Sequence, residues 1–212
     1  MLSRKRACTI LAAATLCLLL ATDARSQDAA PPWAHGWEIS LGGGYFLPAR
    51  EGFREYYQGG PEVEIGGAYR ISRRVFLAID ASYNYLWKKS WMRFTTLSFV
   101  PSVRLILPSG PPAYLGAGLG FYRGTLFFED DTYIPSGTNP THYINVSDKS
   151  YSKNGLGLEG YAGIRHFLSG RMFLELQLRY SHTFFGDPDK GEHGNVGGLT
   201  GMLKWGMAFG KY

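Results

Sequence analysis

The chain has 212 residues, enough for one domain or two small ones. Aromatic residues make up 15% of it and glycine contributes 28 residues, whereas only 18% are charged, compared with about 25% in a typical soluble protein. This composition fits half-buried strands joined by turns.

Residues 1–26 have the organisation of a secretory signal peptide, with a basic start, an apolar run over 7–21 and the small-x-small end Ala24-Arg25-Ser26. The run is shorter than the ~20 residues of a spanning helix, so we expect removal rather than anchoring. Both cysteines, Cys8 and Cys17, lie in this leader, which excludes a disulfide-stapled scaffold. Removal also takes away four basic residues and one acid, lowering the formal charge from +5 to +2. The main argument for a nucleic-acid partner, a high positive charge, therefore no longer applies.

Residues 27–36 form a short lead-in that contains proline, and residues 37–212 form the predicted domain. Within this domain, apolar and polar side chains alternate in eight stretches, the pattern of strands with two different faces. The stretches are 37–46, 61–71, 74–87, 92–107, 113–122, 155–167, 171–184 and 196–212. The clearest is 74–87, which has Val75, Leu77, Ile79 and the aromatics Tyr83, Tyr85 and Trp87 on one face, opposite Asp80, Ser82 and Asn84.

The connections alternate between polar loops after the odd-numbered stretches and tight turns after the even-numbered ones. The tight turns are at Ser72-Arg73, 108–112 and 168–170, and the longest loop is 123–154. Eight strands of membrane-spanning length must close on themselves in lipid, because an open edge would leave backbone groups unpaired. The sequence therefore predicts an all-β fold, an eight-stranded antiparallel up-and-down transmembrane β-barrel.

With these features, the chain resembles the small outer-membrane β-barrel proteins, the group that includes the OmpA transmembrane domain. The resemblance covers residues 37–212 and rests on the export signal, the eight strands, the loop asymmetry and the terminal aromatic Tyr212. It implies Sec-type export to the outer membrane of a Gram-negative bacterium, a monomer among outer-membrane lipids, and no cofactor. Tyr212 would be the signal for the barrel assembly machinery. Trp205 and Phe209 fall out of register with it, so we expect a bulge near Gly210 or a weaker signal.

Ionisable side chains on the polar faces are expected to fill the lumen and to pair there, because unpaired charges in so narrow an interior would be costly. They are Glu38, Glu62, Glu64, Arg70, Asp80, Arg104, Glu159, Arg165, Glu175, Arg179 and Lys204. Topology puts Arg70, Arg104, Arg165, Glu38 and Glu175 toward the turn end, and Glu62, Glu64, Glu159 and Arg179 toward the loop end. These charges predict a structural plug, with a gated ion path as the alternative.

The pattern also predicts the roles of two further groups of residues. The glycines Gly42, Gly44, Gly116, Gly118 and Gly120 should make room in the lumen for Phe46, Phe76, Phe94, Tyr114 and Tyr161. On the outer face, an aromatic girdle is expected at the membrane–water boundary, where amphipathic rings are favoured. Its residues are Tyr83, Tyr85, Trp87 and Tyr180.

An enzymatic alternative centres on His182, beside Ser181 and Thr183, because some barrels resembling this one deacylate lipid A with a histidine and a serine. The expected His-x-Ser-Asn pattern is absent, since Phe184 and Phe185 follow, so no catalytic residue is assigned. The acids Asp187, Asp189 and Glu192, like Asp130-Asp131, match no defined calcium loop, so no metal site is assigned. The prediction is a non-enzymatic, porin-like barrel with a charge-plugged lumen, acting in envelope structure, surface contact or as a narrow channel.

Overall fold

The computed structural model describes residues 36–49, 54, 57–72, 74–87, 92–107, 112–128, 133–135, 143–145, 150–185 and 196–210. The strands in these ranges are β1 (Trp37–Pro48), β2 (Gly60–Arg70), β3 (Val75–Leu86), β4 (Met92–Ile106), β5 (Ala113–Phe128), β6 (Tyr133–Pro135), β7 (Tyr143–Asn145), β8 (Ser150–Phe167), β9 (Met172–Phe184) and β10 (Val196–Phe209). All of them except β6 and β7 form one closed sheet in the order β1-β10-β9-β8-β5-β4-β3-β2. Every neighbouring pair is antiparallel, so the predicted eight-stranded barrel is confirmed.

No helix in the described ranges is both long and apolar enough to cross a membrane.

The register of the sheet makes the strands tilt. Following paired residues once around the barrel from Trp37 leads back to β1 at Leu47, ten positions further along the chain. Such a stagger goes with tilted strands, and with eight strands the interior is just wide enough for side chains to fill.

The two faces of the barrel have opposite chemistry. Along β2 and β3, buried and exposed residues alternate, because successive side chains of a strand point to opposite sides of the sheet. The outward face exposes large apolar side chains on every barrel strand, among them Leu41, Ile65, Ile79, Phe99, Leu119, Leu158, Leu178 and Leu203. A continuous apolar outer surface of this extent suits contact with lipid rather than with water.

The prediction that residues 123–154 form a loop is wrong at both ends. β5 continues to Phe128 and β8 begins at Ser150, and the two strands remain paired up to Phe127 and Ser150. β6 and β7 pair with each other within this segment. The sequence alternates between apolar and polar residues only where the outer face of the strand is apolar. The alternation therefore ends where the outer face becomes polar, although strand pairing continues.

The other strand ends agree with the sequence to within about three residues. The largest of these differences is at the C-terminus, where β10 ends at Phe209. Gly210 has φ of 128°, a backbone conformation that residues with a Cβ rarely adopt. Tyr212, the predicted assembly signal, lies outside the described residues.

Candidate functional site

The barrel has two ends, which the connections define. The turn end carries the connections β2–β3, β4–β5 and β8–β9, and the loop end carries the others. Ten of the eleven ionisable side chains predicted for the lumen, all within the described strands, are buried between these ends. The exception is Arg70, which is half-buried because it is the last residue of β2. Its Nε donates a hydrogen bond to the Ser72 carbonyl oxygen at 2.9 Å, so Arg70 belongs to the rim.

One network of buried charges lies toward the turn end and consists of Glu38, Arg104, Arg165 and Glu175. Arg165 donates from Nε and Nη2 to Glu175 Oε2 at 3.0 and 2.7 Å, and from Nη1 to Glu38 Oε1 at 2.7 Å. Arg104 Nη1 lies 3.7 Å from both Glu38 Oε2 and Glu175 Oε2. We call this charge-balanced set, two acids and two bases, the turn-side network.

A second network occupies the middle of the lumen, on the loop side of the first, and we call it the loop-side network. It consists of Glu62, Glu64, Asp80, Glu159, Arg179 and Lys204. Arg179 donates to both Glu62 and Glu64, and Lys204 forms an ion pair with Glu64. Lys204 Nζ also lies 3.9 Å from Asp80 Oδ1 and 4.0 Å from Glu175 Oε1, which joins the two networks.

The loop-side network contains four acids but only two bases. Glu159 is weakly compensated: its Oε2 lies 3.9 Å from Arg179 Nε and accepts from the Tyr122 hydroxyl at 3.4 Å. Its Oε1 has no hydrogen-bond partner within the described structure. Because buried charge without a partner is costly, we expect the surplus acid to destabilise the folded barrel at Glu159.

Glycines on intervening strands leave space for long side chains to lie across the inner surface of the barrel. Gly42 pairs with Lys204 on one side and with Glu64 on the other. A Cβ at Gly42 would lie 2.8 Å from Lys204 Cγ, so the missing side chain is the path by which the lysine reaches Glu64. Gly163 does the same for Tyr114, whose ring lies over it while the hydroxyl donates to Glu175.

The glycines predicted to accommodate aromatic rings are only partly the right ones. Gly116 does lie beneath the Tyr161 ring, and the Tyr161 hydroxyl shares a 2.7 Å hydrogen bond with Ser102 Oγ. The rings of Tyr114, Phe46 and Phe173, however, lie over Gly163, Gly198 and Gly206. Which glycine faces which ring depends on the register between strands, which a single strand's pattern does not contain.

Apolar clusters lie toward both ends of the lumen. The loop-end cluster consists of Phe46, Tyr57, Leu86, Phe94, Val100, Tyr122, Leu126, Phe185 and Val196. The turn-end cluster consists of Ala68, Phe76, Ala78, Ile106, Tyr114 and Tyr161, and Arg104 stacks on the Tyr114 ring at 4.6 Å. Sequence reasoning missed Tyr57, which lies between β1 and β2 and is only 1% exposed. Its ring is 5.8 Å from that of Phe94, and burial raises the pKa of its phenol.

The predicted girdle residues lie near the loop ends of β3 and β9. Tyr83, Trp87 and Tyr180 are exposed on the outer face, and Tyr85 is half-buried with its ring 5.4 Å from that of Trp87. A turn-end counterpart was missed. Trp37 and Tyr69 pair across β1 and β2 with ring centroids 4.6 Å apart, and both are exposed. The sequence contained the information needed to predict this pair, because Trp37 and Tyr69 lie at the strand ends that the topology places at the turn end.

The residues of the enzymatic alternative are divided between the two faces. His182 lies on the outer face, over Gly197 and against the Phe184 ring at 4.8 Å. Thr183 is buried in the lumen, and Ser181 shares its face because side chains alternate along β9. The strand therefore holds both hydroxyls on the opposite side from the imidazole, and they form no triad with it.

The remaining candidates lie outside the described residues. They are the leader 1–26 and the acids Asp130, Asp131, Asp187, Asp189 and Glu192. Among the residues that are described, no group of three or more His, Cys, Asp or Glu side chains is arranged to hold a metal ion.

Comparison with known proteins finds similarity in structure alone. No protein-family model matches the sequence, and no curated protein matches it. The fold is similar to that of neisserial surface protein A, NspA, with a TM-score of 0.54 and 15% identity, over 82% of this chain and 97% of that one. It is also similar to Ail, the attachment invasion locus protein of Yersinia pestis, with a TM-score of 0.51 and 14% identity, over 82% and 99% of the two chains.

A third structure extends the comparison to another organism. The outer membrane protein OprG from Pseudomonas aeruginosa superimposes with a TM-score of 0.50 and 13% identity, over 84% of this chain and 97% of that one. Identities this low establish the fold and not the role. With its closed antiparallel sheet, apolar outer face and buried charged side chains, the chain has the fold of the small eight-stranded bacterial outer-membrane β-barrel proteins.

Proposed function

We propose that this protein is an outer-membrane barrel whose lumen is closed at rest, and that it acts in envelope structure or surface contact rather than as an open pore. The observation that carries the proposal is the burial of charged side chains inside the barrel. Ten buried ionisable side chains form two joined networks, and apolar clusters lie toward both ends.

The energetics of these networks favour closure. Water and ions could pass only if buried ion pairs separated, and removing one partner of such a pair typically costs about 3–5 kcal/mol. Arg165 holds two carboxylates at 2.7 Å, so moving it would disturb both at once. Any conductance should therefore be small and intermittent.

The loop end supports a role in surface contact. β5 and β8 have 16 and 18 residues, whereas a spanning strand needs only about 9–11. Their paired ends therefore continue beyond the apolar band and lead to β6 and β7. Of the similar structures, one is called a surface protein and another an attachment invasion locus protein, and those names support a comparable role here.

The location and partners belong to the same proposal. The leader would direct Sec-type export, the barrel assembly machinery would insert the chain, and the protein would be a monomer surrounded by outer-membrane lipids. The apolar outer face is the support for a lipid environment.

Single-channel recording in planar lipid bilayers tests the closed lumen. We expect the refolded wild-type barrel to give a flat baseline with brief, small openings. A large and steady conductance from the wild-type protein would overturn the closed state and favour a pore.

A further inference from the structure

The described surface of the barrel carries cations and no acids. All six acids in the described ranges are buried in the lumen. The charged side chains that are exposed or half-buried there are Arg54, Arg70, Arg74, Arg93, Arg123, Lys153 and Arg171. A surface of this kind, bordering an apolar band, is complementary to anionic lipid headgroups.

Two of these arginines lie on one stretch of wall. The register places Arg123 beside Leu97, one outward position above the paired rings of Phe99 and Phe121. Those two rings, together with the neighbouring Leu156, are 52%, 49% and 59% exposed. Arg123 therefore lies at the upper border of the apolar band, on the loop-end side.

Arg93 lies two outward positions further up, and aromatic rings hold it in place. Its guanidinium is 4.6 Å from the centroid of the Phe127 ring and 5.8 Å from that of Tyr85. Tyr85 in turn contacts Trp87. Rings at this depth mark the headgroup region, and cation–π contacts orient a guanidinium at low entropic cost.

Hydroxyl groups occupy the space between the two arginines. Thr95 and Thr125 pair across β4 and β5, and Thr125 Oγ1 shares a 2.9 Å hydrogen bond with Ser152 Oγ on β8. Thr95 is buried, whereas Thr125 is half-buried and Ser152 is exposed, so the wall places two guanidinium groups and the Thr125–Ser152 hydroxyls above an apolar surface. Guanidinium binds phosphate in a bidentate manner, and hydroxyls supply further donors.

We propose that Arg93 and Arg123, with the Thr125–Ser152 hydroxyls between them, form a binding site for the phosphate of an anionic membrane lipid. The acyl chains of this lipid lie against Phe99, Phe121 and Leu156. A lipid rather than a free anion is the occupant because Arg123 directly borders the apolar band, so one molecule can contact the arginines and the band together. The site uses only the outer face, so it is independent of whether the lumen conducts.

Native mass spectrometry of the refolded barrel in neutral detergent tests the site, with short-chain phosphatidic acid as the probe. Phosphatidylcholine of the same chain length and inorganic phosphate serve as comparison ligands. We expect phosphatidic acid to bind the wild-type barrel about tenfold more tightly than phosphatidylcholine. The double variant Arg93→Gln/Arg123→Gln should lose most of this preference.

The matched control is Arg74→Gln/Arg171→Gln, which removes the same charge at the turn end. It should retain the wild-type affinity. An equal loss in the control would show general attraction of anions and overturn the site. Competition by inorganic phosphate at equal concentration would overturn the lipid part.

A folding defect in the double variant would not obscure the result. Arg123→Gln alone and Arg93→Lys, which keeps the charge without the planar fork, should each weaken phosphatidic acid binding severalfold. Unchanged affinity in both would refute the proposal.

Discussion

Gly42 and Gly43 are adjacent in β1 but meet opposite environments. A Cβ at Gly42 would press on the Lys204 side chain, whereas a Cβ at Gly43 would meet nothing within 4 Å. Gly42→Val should therefore displace the lysine from Glu64 and cost about 1–3 kcal/mol of unfolding free energy, the usual cost of overpacking. Gly43→Val, on the outer face, should be close to neutral. Urea unfolding in lipid vesicles measures both, and equal effects would contradict the role given to Gly42.

Glu159 and Glu175 are both buried acids, but the structure compensates them unequally. Glu175 accepts from Arg165 and Tyr114, whereas Glu159 has one unpartnered oxygen in an acid-rich network. Glu159→Gln should leave stability unchanged or raise it, because glutamine has nearly the same shape as glutamate and the substitution removes a surplus buried charge. Glu175→Gln should cost about 3–5 kcal/mol, since Arg165 loses a charged partner. Thermal unfolding of the two variants side by side would reveal a reversed order if this reasoning fails.

At the scale of the strand, position along β9 and β8 decides the cost of a charge. Leu176 lies on the lipid face near the middle of β9, and Ser150 is exposed at the start of β8, beyond the apolar band. Leu176→Arg should cost about 2–4 kcal/mol, whereas Ser150→Arg should cost at most about 1 kcal/mol, because the penalty falls with distance from the membrane midplane. Folding titrations in vesicles compare them. A similar cost at both positions would mean that the band is not in lipid.

The strand order also fixes which connections share a side. The mature chain is expected to lack cysteine, so single cysteines report their own position. On intact cells, a membrane-impermeant maleimide should label Ser150→Cys at the loop end and spare Ser72→Cys at the turn end, both being exposed. Opening the envelope should make Ser72→Cys reactive. This pattern is expected if the turn end faces the periplasm and the loop end faces outside; the opposite pattern would reverse that orientation.

For the whole molecule, the turn-side network should decide whether the lumen stays closed. Arg104 and Arg165 are its only cations among the described residues, and Glu38 and Glu175 depend on them. Arg104→Ser/Arg165→Ser should lower stability and, if the walls do not collapse, raise the open probability in bilayer recordings. Arg70→Ser, at the rim, is the control and should leave the trace flat. Unchanged melting and conductance in the double variant would show that these arginines do not form the plug.

Much of this architecture was predictable because alternation is a local property of the chain. The period of two along 74–87 and 171–184 identifies strands and assigns Asp80, Glu175 and Arg179 to the lumen, where they are buried. Even strand number and alternating loop lengths then predict closure and sidedness. The same signal failed at 123–128 and 150–154, where pairing continues although the outward side chains include Arg123, Thr125, Ser152 and Asn154.

The sequence by itself determined the barrel, its two faces and the types of residue in the lumen, because each follows from neighbours along one strand. Only the tertiary structure decided the partners. Arg165 meets Glu38, Arg179 meets Glu62, and Lys204 crosses Gly42 to Glu64. These pairs join residues more than a hundred positions apart in the chain, and they depend on the ten-residue stagger of the closed sheet. A shift of register would match each charge with a different side chain.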